Sequence, residues 1–394
     1  MIQISDNTQQ IQPSKIRKMF NKALEYDHVI SFTLGEPDFT ASPNVVEAGC
    51  RAIREGKTKY SENAGLLALR QAIAEYLHRT EGLSYDPASQ IVVTPGAMGA
   101  LFLALKVLLN PGDEVIVNEP CWTNYVQQIR MCGGVPVSVK TNAQRGFDLD
   151  VSAIAEAVTD KTKAIILNSP CNPTGAVAST ETLLQLAELA QKQDLVILAD
   201  EVYKHILFDG RTYTSFAALP GMKERTLVID SLSKTYAMTG WRIGFIAAPL
   251  WIAKACNKLQ GQYTSGASSI AQKAAAAAFA GEQGCVETMR RAFQHRRDLV
   301  VRLAKEIPGL KVNDPQGAFY LFPEVSHYLG KSDGERKINT SSDLAMYILE
   351  VGHVATVAGD AFGAPDYLRL SYATSEENIT EAMRRMKEVL ARLK

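Results

Sequence analysis

A chain of 394 residues can bury a sizeable core, and its length suggests two to three domains. Its 42 Lys+Arg balance 42 Asp+Glu, so bulk charge gives no support to nucleic-acid or membrane-surface binding, and 46% hydrophobic content is ordinary for a globular protein. The six cysteines (Cys50, Cys121, Cys132, Cys171, Cys256, Cys285) contain no Cys-x-x-Cys pair, which excludes the common zinc spacings and argues against a disulfide framework.

No apolar run approaches the roughly 18 residues a membrane span needs. The first residues lack the basic-then-apolar pattern of a signal peptide. A reducing, cytoplasmic setting is expected.

Taken in chain order, the segment before about Val45 is expected to pack with the C-terminal part. Between residues 90 and 250, short β-branched runs alternate with helical stretches. Strands are predicted at 91–94, 114–118, 135–139, 164–168, 195–199, 226–230 and 243–247, with helices such as 99–109 and 180–193 between them. The runs are near-continuously apolar, the pattern of a sheet covered on both faces. Strand–helix alternation predicts an α/β fold with a mostly parallel seven-stranded sheet. Asn110-Pro-Gly-Asp113 and Asn172-Pro-Thr-Gly175 supply turn chemistry within it. The alanine run 274–278 reads as a tight helix.

Beyond residue 286 the texture changes to a basic helix (289–304), short strands near 318–322 and 367–372, and a final helix (376–393). These predict a smaller α+β domain. The expected division is 46–285 for the large domain, and 1–45 with 286–394 for the small one.

Polar residues fall where these strands end. Gly96 follows the first strand, Trp122 the second, Asn172 the fourth, Asp200 the fifth, and Ser231, Ser233 and Lys234 the sixth. Ligands of open α/β sheets bind beyond the carboxyl ends of the strands. Singly, Asn172 reads equally well as turn chemistry, Asp200 as a helix cap and Trp122 as core. Their convergence favours a site.

Ser231, Ser233 and Arg242 provide hydroxyl donors and a bidentate cation, which suit a phosphate monoester. Lys234 beside them can form a Schiff base with an aldehyde cofactor. Asp200 would keep a pyridine nitrogen protonated. Tyr203, three residues on, would share its face if the segment is helical. The helix opened by Gly96-Ala97-Met98 offers backbone N–H groups to an anion, but it is neither Gly-x-Gly-x-x-Gly nor a Walker loop, so nucleotide binding is disfavoured.

These residues, with Gly35-Glu-Pro-Asp38, Lys59-Tyr60, Asn168-Ser-Pro-Cys-Asn-Pro-Thr-Gly175, Asp200-Glu-Val-Tyr203, Ser231-Leu-Ser-Lys234, Met238-Thr-Gly-Trp-Arg-Ile-Gly244 and Arg369-Leu-Ser-Tyr372, resemble the pyridoxal-5′-phosphate-dependent aminotransferases of fold type I, class I/II, over nearly the full length. The resemblance implies that Lys234 is the Schiff-base lysine and proton shuttle. It pairs Asp200 with the pyridine nitrogen and puts Tyr203 and Asn172 at the phenolic oxygen. Trp122 would stack on the ring, and Ala97, Met98, Ser231, Ser233 and Arg242 would surround the phosphate. Arg369, with Gly35 and Asn172, would hold the substrate α-carboxylate. Tyr60 would reach the phosphate of a neighbouring subunit, implying a homodimer with composite sites.

The implied activity is ping-pong transfer of an amino group from an L-amino acid to a 2-oxo acid such as 2-oxoglutarate. A β-lyase on the same scaffold is the alternative. Aspartate-preferring relatives often carry a lysine where this chain has Met98, so a broad or aromatic donor range is expected instead of strict dicarboxylate preference.

Overall fold

A computed structural model describes residues 3–394. Its main sheet contains, in chain order, Ile91–Thr94, Glu114–Glu119, Val135–Lys140, Thr162–Asn168, Val196–Asp200, Thr226–Ser231 and Gly244–Ala247. Their spatial order is first, seventh, sixth, fifth, fourth, second, third. Six strands share one direction, and only the seventh runs antiparallel to its neighbours.

Strand alternation sends neighbouring side chains to opposite faces. Val92, Val117, Ile166 and Ile229 join one core layer, with Leu101 and Leu105 of the helix Gly96–Leu108. Ile116, Ile165 and Ile197 meet Leu186 of the helix Thr180–Lys192, while Val93, Val228 and Phe245 meet Ala271 and Ala275. The first and sixth strands are buried at every position. The third departs from the expected double cover. It is an edge strand in which only Val139 is buried, although the helices Asn124–Met131 and Val151–Ala157 both reach it.

The alanine run lies in the helix Ser269–Ala280, which packs against the helix Pro43–Arg54. After it, the helices Gly284–Lys305, Ser341–Gly352 and Glu376–Leu390 accompany a three-stranded antiparallel sheet of Val357–Ala358, Leu368–Ser371 and Tyr320–Leu321. Phe293, Leu344, Ile348, Leu370 and Met386 form their shared core. The final helix is shorter than the sequence predicts, ending at Leu390. Near the start of the chain, Ile30–Ser31 pairs in parallel with Val354–Ala355, tying this segment to the later elements. Among the described residues no helix is long and apolar enough to cross a membrane.

Candidate active site

Because the seventh strand runs backwards, its beginning lies at the same edge as the ends of the other six. Arg242, two residues before that strand, therefore joins the strand-end residues. Together they border a cavity of about 530 Å³. Every candidate residue that the family resemblance assigns lines it except Tyr60, which is 96% exposed on the single chain.

Asp200 is the last residue of the fifth strand and is 3% exposed. Burial raises its carboxyl to about pKa 6, against the opposing effect of a hydrogen bond from Tyr125 Oη to Oδ2 at 2.6 Å. Asn168, the last residue of the fourth strand, donates through Nδ2 to the Asp200 carbonyl at 3.1 Å and accepts from the Asn172 N–H at 2.9 Å. Asp200 is thus a buried carboxylate at a strand end, and no helix starts there for it to cap.

The expected helical face shared by Asp200 and Tyr203 is absent. Residues 202–205 form turns, and it is these turns that bring the Tyr203 ring to the cavity. Its hydroxyl meets that of Tyr320 at 2.7 Å, and burial pushes the phenol well above its ordinary pKa.

Lys234 sits on the short helix Leu232–Thr235 after the sixth strand. Its Nζ donates to the Gly35 carbonyl. Burial lowers its pKa to about 8, with Arg242 and Arg369 acting in the same direction and Glu36 opposing. The result is an amine that becomes mostly neutral, and so nucleophilic, above about pH 8, well below the range of an ordinary lysine.

Around the anion end, Ser231 and Ser233 are buried, and the helix Gly96–Leu108, which starts without a side-chain cap, lines the cavity with Ala97 and Met98. Gly96 has φ +73°, and a Cβ there would stand 2.8 Å from Arg242 Nη2. Only glycine lets the helix start and the guanidinium approach this closely. Arg242 is held by donating from Nη1 to the Thr239 carbonyl at 2.8 Å. Trp122 lies edge-on to Tyr125, with ring centroids 5.4 Å apart. Met98 Sδ faces the amides of Asn124 at 3.3 Å and Gln128 at 3.7 Å.

Arg369 is 1% exposed and sandwiched by Tyr320 and Phe362, with centroids 4.8 and 5.0 Å from its guanidinium carbon. It donates to Asn172 Oδ1 at 3.2 Å and to the Thr33 carbonyl. Its Nε is buried without a partner. An orphaned buried donor on a cation calls for an anionic ligand. Gly35 is required beside it, since a Cβ there would collide with the Tyr320 hydroxyl.

Sequence reasoning missed Tyr125 and Tyr320, whose partners are 75 and 117 positions away. It also missed Ile16, Arg17 and Phe20, which line the cavity from the helix Lys15–Ala23. No local motif marks any of these residues. Asn168 stood inside a quoted motif, and its strand-end position was the signal that could have singled it out.

An open α/β sheet whose carboxyl edge gathers a buried lysine, a buried aspartate and an arginine with a free donor defines an enzyme site for a small anionic substrate. Residues 27–386 match the family described as aminotransferase class I and II. The chain is 43% identical to a bifunctional aspartate aminotransferase and glutamate/aspartate-prephenate aminotransferase of Petunia hybrida, over 100% of this chain and 84% of the relative. It superposes on the aspartate aminotransferase of Rhizobium meliloti with TM-score 0.96 and 39% identity, covering all of both chains. An aromatic aminotransferase from Pyrococcus horikoshii gives TM-score 0.87 at 40% identity, covering 95% of this chain and 98% of that one. The chain belongs to the class I and II aminotransferases, and its chemistry is amino-group transfer.

Proposed function

We propose that the chain moves the amino group of an L-amino acid to a 2-oxo acid with the help of pyridoxal 5′-phosphate. The observation that carries this reading is the meeting in one cavity of Lys234, Asp200 and the free Nε of Arg369. The anion end also fits the cofactor, because Ser231, Ser233, Arg242 and the start of the helix Gly96–Leu108 line the same cavity and together offer hydroxyl, guanidinium and backbone donors. When bound, the cofactor supplies an aldehyde for a lysine and a protonated ring that accepts electrons from the substrate α-carbon.

In this reading Ser231, Ser233, Arg242 and the backbone of Ala97 and Met98 hold the phosphate. Asp200, whose ionised form the Tyr125 hydroxyl supports in part against burial, pairs with the ring nitrogen. Tyr203 and Asn172 donate to the ring's phenolic oxygen, and Trp122 covers one ring face. Lys234 Nζ takes the α-proton of the substrate and returns it elsewhere, a role that needs a neutral amine and so agrees with its lowered pKa. Arg369, helped by Asn172 and Gly35, orients the α-carboxylate.

Donors are taken to be broad, with neutral or aromatic amino acids competitive with aspartate because Met98 brings no charge. Relatives named for aspartate and for aromatic amino acids support both ends of that range. We take 2-oxoglutarate as the acceptor and a homodimer as the active form, with the exposed Tyr60 completing the partner's site. The setting proposed is cytoplasmic. We further take residues 46–285 as the large domain, and 1–45 with 286–394 as the small one; the pairing of Ile30–Ser31 with Val354–Ala355 supports the second grouping. Met1 and Ile2 lie outside the described residues.

The test is a panel of amino acids offered to the cofactor-loaded protein with 2-oxoglutarate. Glutamate and the matching 2-oxo acid should appear in equal amounts. Release of ammonia without consumption of the acceptor would overturn the proposal in favour of β-elimination.

A further inference from the structure

Resting on the amino-transfer reading above, we propose that Arg17 is the residue that recognises a second, distal carboxylate on the substrate. A dicarboxylic 2-oxo acid brings two negative charges into the cavity, and a carboxylate moved out of water needs a cationic or hydrogen-bonding partner. Four cations line the cavity: Arg17, Lys234, Arg242 and Arg369. Lys234 is the reacting amine, Arg242 belongs to the anion end beside Gly96, and Arg369 offers its unpartnered Nε to the α-carboxylate. Arg17 alone has no assigned partner.

Its surroundings agree. The helix Lys15–Ala23 is capped by Ser14, whose Oγ accepts from the Arg17 N–H at 3.3 Å, and it packs against the strands Val354–Ala355 and Val357–Ala358. The Arg17 guanidinium makes no ion pair among the described residues and rests 5.4 Å from the centroid of Phe20, another cavity-lining residue one turn on. An unpaired guanidinium steadied over an aromatic face keeps its fork available for bidentate binding of a carboxylate. Met98 contributes nothing to this charge, since its sulfur faces only the neutral amides of Asn124 and Gln128. The cation for dicarboxylates therefore comes from a helix distant in sequence from the strand-end residues.

The experiment uses the holoenzyme. Half-reactions are followed by absorbance with glutamate, aspartate and 2-oxoglutarate, and separately with phenylalanine and alanine. Arg17→Ala should lower kcat/KM for the dicarboxylic substrates by about 30-fold or more, and for the neutral ones by less than about threefold. Arg17→Lys should recover part of the loss. Binding of glutarate, an unreactive dicarboxylate, should weaken by a similar factor in calorimetry. Equal losses for both substrate classes, or an unchanged glutarate Kd, overturn the inference, as does a wild-type enzyme that uses only neutral substrates. A wild-type protein without any amino transfer overturns the parent reading instead, and the glutarate titration still decides Arg17.

Discussion

Replacing Asp200 by asparagine should divide activity from stability. Burial raises this carboxyl from 3.8 to about 6, so its surroundings disfavour the charge that the proposed role requires. At about 1.4 kcal/mol per pH unit, the ionised form costs the apoprotein about 3 kcal/mol relative to the unfolded chain. The sign follows from the direction of the shift. The folded state holds the proton more tightly, so wild-type apoprotein loses stability as pH rises from about 4 to about 6. The substituted amide would carry no charge at any pH and would still accept from Tyr125, while losing one of the two oxygens that Asp200 offers to Tyr125 and the Val202 N–H. Net, Asp200→Asn apoprotein should match wild type near pH 4 and exceed it by about 1–3 kcal/mol at pH 8. Urea unfolding at the two pH values reads this directly. Turnover should move the other way. Loss of a buried charge partner removes about 2–5 kcal/mol, or roughly 30-fold to several-thousand-fold in kcat/KM. A loss under about tenfold, or an apoprotein less stable than wild type at pH 8, refutes the assignment.

Other outcomes follow from the same site. Burial holds the Lys234 amine near pKa 8, so cofactor capture by apoprotein should speed up with pH and level off above about 8; a rate still climbing at about pH 9.5 contradicts this. Borohydride should fix the cofactor covalently to wild type and not to Lys234→Ala, which should also lose turnover. Sedimentation should report a dimer, and Tyr60→Phe should weaken cofactor affinity without dissociating it; an active monomer removes the composite site. Met98→Lys should raise kcat/KM for aspartate selectively, and a wild-type preference for aspartate above about a hundredfold, roughly 2.7 kcal/mol, ends the argument for broad donors.

The sheet was legible because its inner strands are buried on both faces and so read as apolar runs. The same rule misread 135–139, where Val135 and Val137 are apolar but the strand is an edge. Asp200, Lys234 and Asn172 were legible because strand ends are fixed by the local pattern. Tyr203 was placed for the wrong geometric reason, since turns and not a helix carry it. Arg242 could be found by composition, but its arrival at the right edge depends on the reversed direction of the seventh strand, which no apolar run reports. Tyr125, Tyr320 and Arg17 reach the site only through tertiary packing. Gly35 and Arg369 came from family resemblance alone, and their contacts with Lys234, Asn172 and Thr33 explain why no local pattern announces them.

The bond from Arg369 to the Thr33 carbonyl joins residues 336 positions apart. On a ribosome, the chain emerges in order, and contacts of such separation close last. The sheet and its anion end, which need nothing after Ala247 for their strand pairing, can assemble while the rest is still being made. The carboxylate clamp cannot, because Thr33 must wait for the strand Leu368–Ser371 to appear. The strand pairing that builds the anion end therefore precedes the contacts that build the carboxylate clamp.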